Sequence, residues 1–337
     1  MHLALSYREM RVNTIKMFKE IKLKALLIGT LIVSILLSGC GVKKDSDDQV
    51  MLVIGHYITE VTSGGKENLL DIKHRSRNHW QYDPDNKLLI GSSSSYCTNV
   101  SVYNMENGSK TDIGFTKDDS LDEFEYEGQK MYGHNAWSED GKVSIYAKNA
   151  AEDTLVVFTF DCKTKELVDT TSYDIKEFSY VRDIGNFLVY LKSALVKDQR
   201  QYKLDIFDKT TGESKTVASG IGTLGSGFDL IEINRDKTKV LFVKTRDDIS
   251  FLYEYDIKSG ETREVYQCGK GELITGFTYA LESDKIYLRY GKRFSGIAGY
   301  SCQPNHTMVI TTDGRSYQLH SSLLNGYDLN TTGIVAY

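Results

Sequence analysis

Proline is nearly absent from this sequence. Two residues stand against 28 glycines in 337, so chain reversals must rest on Gly, Asp and Asn. Cysteine is scarce as well, at five, and no two stand as C-x-x-C; their wide spacing argues against a zinc site. The formal net charge is −5 and no long basic block follows the first 40 residues. That argues against nucleic acid as a partner, because phosphate binding needs a positive patch. No G-x-S-x-G elbow, P-loop or G-x-G-x-x-G at a strand–helix junction occurs, and the Gly222–Gly227 segment reads as a flexible loop. The acidic stretch Lys117–Glu127 lacks the spacing of a calcium loop and reads as an exposed loop, or as a docking surface for a basic partner. Neither a cofactor nor a metal site is expected. No catalytic residue stands out.

What is present favours strands. The chain is 40% hydrophobic and 26% charged, enough for a sizeable core, and its 22 tyrosines and 13 phenylalanines are joined by many Val, Ile and Thr. Long helical periodicity is absent after residue 50.

The first 40 residues differ from the rest. Lys16, Lys19, Lys22 and Lys24 precede the uncharged run Ala25–Leu37, and Ser38-Gly39-Cys40 follows it. A basic segment, an apolar run and small residues describe a secretory signal, and 13 residues fall short of the ~20 that span a bilayer. Leu37-Ser38-Gly39-Cys40 resembles the bacterial lipobox. That resemblance implies cleavage before Cys40, a diacylglyceryl thioether on Cys40 with palmitate-type chains, and a membrane anchor of two acyl chains. Residues 1–39 are then a signal peptide, helical at its core, with the true start at Met17 or Met10, and residues 40–49 are a flexible tether. Gly41 is not the aspartate of an inner-membrane retention signal. The expected location is extracytoplasmic and cell-membrane-anchored, in a bacterium of Gram-positive type.

Residues 50–337 repeat. A turn rich in Asp, Asn, Gly or Lys followed by an alternating apolar strand recurs with anchors at Lys87, Lys142, Asn186, Lys239, Lys285 and Gly333, spaced 55, 44, 53, 46 and 48 residues apart. Four-stranded blades run ~40–50 residues, longer than most solenoid units. A second strand follows each of the first five turns and ends in Asp or Asn before a Gly-containing hairpin, as in Asp208-Lys209-Thr210-Thr211-Gly212 and Asp256-Ile257-Lys258-Ser259-Gly260.

Trp137-Ser138-Glu139-Asp140-Gly141-Lys142 resembles the W-S-P-D-G-K turn of TolB-like and WD-like propellers, with Glu139 in place of proline. Tyr82-Asp83-Pro84-Asp85-Asn86-Lys87 is a second, degenerate copy. The expectation is an all-β protein, a β-propeller over residues 50–337, with six blades favoured over seven or an incomplete ring. Strands near Val50–Ile54 and Asn68–Ile72 would complete the blade begun at the C-terminus, closing the ring.

In propellers of this kind the segment before the turn is the innermost strand, and its start is expected to line the central channel. His79, Trp80, His134 and Asn135 fall there, and the same register adds Arg182, Asp229 and Tyr327. They suggest a polar pocket with aromatic walls for a small molecule, glycan or peptide, the alternative being a channel filled by its own side chains. The leading function is a ligand- or protein-binding module rather than an enzyme. A propeller glycosidase or lyase, and a structural component of an envelope complex, are the alternatives.

Overall fold

The structure, a computed structural model, describes residues 50–54, 57–62, 65–71, 79–92, 97–116, 122–196, 199–221, 231–280, 283–296, 299–319 and 331–336. The expected signal segment, Cys40 and the tether lie outside the described residues, as do Asp229 and Tyr327. Every regular element among the described residues is a β-strand.

Three strands open the fold: β1 (Val50–Ile54), β2 (Tyr57–Thr62) and β3 (Gly65–Asp71). Blade 1 follows as β4 (His79–Asp83), β5 (Leu88–Ser92), β6 (Asn99–Asn104) and β7 (Lys110–Gly114). Blade 2 has β8 (Glu123–Tyr126), β9 (Gln129–Glu139), β10 (Lys142–Asn149), β11 (Thr154–Asp161) and β12 (Leu167–Tyr173). Blade 3 is β13 (Phe178–Ile184), β14 (Phe187–Val196), β15 (Gln199–Asp208) and β16 (Ser214–Ile221). Blade 4 is β17 (Ile231–Ile233), β18 (Lys239–Arg246), β19 (Ile249–Asp256) and β20 (Thr262–Gln267). Blade 5 is β21 (Glu272–Tyr279), β22 (Ile286–Gly296), β23 (Gly299–Ile310) and β24 (Ser316–Gln318). The last strand is β25 (Thr331–Ala336).

Each blade is an antiparallel meander of sequential neighbours, the arrangement of a β-propeller. Five blades, not the expected six, are continuous in sequence. A further four-stranded sheet has the order β25-β1-β2-β3, so it draws on both ends of the described chain. Leu52 pairs with Ile334 in it, and β25 packs beside β4 and β21. The acidic stretch is also corrected in part: Glu123–Tyr126 is not loop but a fifth strand of blade 2, with Phe124 buried against Phe115 and Phe158. Its acidic residues alternate with aromatic ones, and that period of two fits a strand with one face packed inward.

The outer hairpins repeat one piece of turn chemistry. Asn104, Asp161 and Asp208 each accept backbone N–H groups two and three residues on through the side-chain oxygen, and Asp256 accepts from the third. The residue four positions on donates to the same residue's carbonyl at 2.8–2.9 Å. It has positive φ, and is Gly in three copies and Lys165 in the fourth. Glycine adopts that conformation at no steric cost, which is why the pattern reads so clearly.

Apolar clusters form between neighbouring sheets. Val143, Ile145 and Phe158 of blade 2 pack on Val100 and Val102 of blade 1, and Val189 and Leu204 of blade 3 pack on Ile231 and Phe242 of blade 4. Fully burying each such side chain stabilises the fold by about 1.5–3 kcal/mol.

Candidate functional site

The first strand of each blade carries the site. Between β9 and β10, Asp140 and Gly141 both have positive φ, at 50° and 71°, as a two-residue type I′ hairpin requires. At the ends of β4, β9, β13, β17 and β21, beside the turns, the blades surround a cavity of about 350 Å³. Blade 1 supplies Trp80 to Asp85, blade 2 Trp137 to Asp140, blade 3 Asp183, blade 4 Glu232 to Arg235 and Lys237, and blade 5 Phe277 to Ala280. The chain's two tryptophans, Trp80 and Trp137, both line it.

Hydrogen bonds between blades hold the lining. Gln81 Oε1 accepts the Ser138 N–H at 2.7 Å. The buried Asp83 accepts the Gly141 N–H at 2.9 Å through Oδ2, and the Asn86 side-chain and backbone N–H groups at 3.0 and 3.1 Å. A carboxylate with three N–H donors is fixed in place, so the turn of blade 1 is clamped to that of blade 2.

Several lining carboxylates already have cationic neighbours. Glu139 pairs with Lys237, and Asp183 Oδ2 with Lys209 Nζ at 2.6 Å. Glu232 Oε2 lies 3.9 Å from Nη2 of Arg182. Arg182 is not itself in the lining and is wholly shielded from solvent. Its guanidinium sits 3.9 Å from the Trp137 ring centroid and 4.5 Å from that of Tyr180, and Nη1 donates to the Ala136 carbonyl at 3.3 Å. On the far side Tyr279 donates to Glu254 Oε2 at 3.0 Å; burial, then the Glu254 charge, push its phenol far above the ordinary value.

The structure brings one expected residue, Trp80, into this lining. His79 is in β4, paired with Ser92. Asn135 bridges blades instead: Nδ2 donates to the Val181 carbonyl at 2.8 Å and Oδ1 accepts the Val181 N–H at 3.0 Å. His134 occupies a bulge, since Tyr146 pairs with Asn135 and Ala147 with Gly133. Its ring lies 4.7 Å from that of Phe178, and burial, with Lys148 nearby, lowers its pKa to about 4. Ser179 and Thr275 occupy equivalent bulges in β13 and β21. The cavity opens at the opposite end of these strands from the end the sequence singled out.

The lining residues that sequence reasoning passed over include Asp83, Asp85, Glu139, Asp140, Asp183, Glu232 and Tyr279. Four of them sit in the two turn motifs, so a signal was present. Cys97, Cys162 and Cys268 are buried, and burial pushes the Cys162 thiol up to about 12.

No protein family matches the chain by sequence, and no curated protein does. Solved structures match the fold. A chain of the nidogen/laminin complex is similar at 10% identity over 85% of this chain and 97% of that one, with a TM-score of 0.52. A putative TolB from Agrobacterium tumefaciens is similar at 10% identity over 80% of this chain and 88% of that one, also with a TM-score of 0.52. The fold is therefore a β-propeller.

Proposed function

We propose that this chain is an extracytoplasmic lipoprotein, held to the cell membrane by lipid on Cys40, whose propeller binds a small ligand in the cavity beside the inner turns. The cavity carries the binding half of this reading. At about 350 Å³ it has room for a monosaccharide or a dipeptide, with aromatic walls and convergent polar groups from five blades. The hold that neighbouring donors have on Asp83, Glu139, Asp183 and Glu232 supports a binding role over hydrolysis. A glycosidase needs two carboxylates placed across the scissile bond, one of them acting as acid.

A thermal-shift screen of sugars, peptides and amines tests the binding half, since a ligand of the native state raises its stability. Thr278→Phe, which fills the cavity, is expected to abolish the shift given by any hit; a shift that persists in this variant refutes the site. Labelling cells with an alkyne-bearing palmitate tests the anchor. The label is expected on the native chain and absent from Cys40→Ala, and equal labelling of both refutes the anchor.

A further inference from the structure

We propose that the ligand of this cavity carries a cationic group, an ammonium or guanidinium, on an aromatic or aliphatic body. The inference rests on the cavity being a ligand site and goes further by naming the chemistry.

Two independent observations carry it. The first is charge. Among the described residues the lining holds six carboxylates, Asp83, Asp85, Glu139, Asp140, Asp183 and Glu232, against the cations Arg235 and Lys237. Arg182 and Lys209 reach Glu232 and Asp183 from outside the lining, and two carboxylates remain in excess. Asp85 and Asp140 are exposed on neighbouring turns. An anionic ligand meets that surplus as repulsion, and repulsion confers selectivity as much as attraction does.

The second is the wall. The half-buried Tyr82 and Trp137 contribute aromatic surface to the lining, and the negative face of an aromatic ring attracts cations. The protein already uses that chemistry here, with the Arg182 guanidinium 3.9 Å from the Trp137 ring centroid. Aromatic surface alone would suit the apolar face of a sugar equally well. Aromatic surface with surplus carboxylates selects a cation.

The test is isothermal titration of the full chain in detergent with three probes of one shape: 2-phenylethylamine, 2-phenylethanol and phenylacetate. The amine is expected to bind about tenfold more tightly than the alcohol, and the acid more weakly still. The amine's advantage is expected to shrink as salt is raised and to fall severalfold in the double variant Asp85→Asn, Asp140→Asn, with the alcohol unchanged. Both substituted side chains are exposed, so the fold is retained. Equal binding of all three probes overturns the inference and leaves the cavity as a ligand site. So does binding of a neutral sugar where the amine fails. If the cavity takes up no compound of any class, both readings fall.

Discussion

Replacing Asn135 by leucine should loosen the joint between blades 2 and 3. The side chain is 1% exposed and holds both the N–H and the carbonyl of Val181, at 3.0 and 2.8 Å. It acts as one extra ladder step between two sheets that otherwise meet through side chains. Leucine has a similar volume but satisfies neither group. Each buried backbone group left unpaired costs about 1–3 kcal/mol, so the loss is about 2–5 kcal/mol after partial compensation by apolar packing. At roughly 2 °C per kcal/mol for a domain of this size, the melting temperature should fall by about 4–10 °C. Asn135→Asp separates the two bonds, keeping the acceptor for the Val181 N–H while opposing a carboxylate to the Val181 carbonyl. Its carboxyl should titrate above the ordinary range, so protonation favours the folded state and the deficit should narrow as pH falls from 7 towards 4.5. Circular dichroism melts of the three proteins at both pH values measure this. A leucine variant within 1 °C of the native protein would refute the joint.

His134 predicts a second pH effect of opposite sign. Its folded pKa is about 4 against 6.5 when unfolded, so the unfolded chain takes the proton first. Stability should fall by about 3 kcal/mol as pH drops from 6.5 to 4, and His134→Gln should flatten that slope in denaturant titrations. Gly91→Ala places a Cβ 2.6 Å from the Trp80 ring. It should cost about 1–3 kcal/mol and change Trp80 emission, and an unchanged spectrum and melt would contradict the packing.

Local chemistry was legible in the sequence and assembly was not. The Asp208–Gly212 and Asp256–Gly260 hairpins announced themselves because each turn is made within five residues. Ring closure was suggested by the unpaired strand at the C-terminus, and β25 does pair with β1. Which end of the inner strands frames a cavity depends on how five sheets converge, and no local pattern records that. Arg182 shows the same limit: its burial between Trp137 and Tyr180 follows from the meeting of two blades. Glu123–Tyr126 reads as a solvated acidic run in the sequence because its charge masks the alternation of Phe124 and Tyr126.

The most direct measurement uses the two tryptophans, which both line the cavity and are the chain's whole complement. Tryptophan emission should change saturably with any ligand that raises the melting temperature, with the same midpoint as calorimetry. A ligand that stabilises the protein while leaving that emission unmoved would place binding elsewhere and contradict the account.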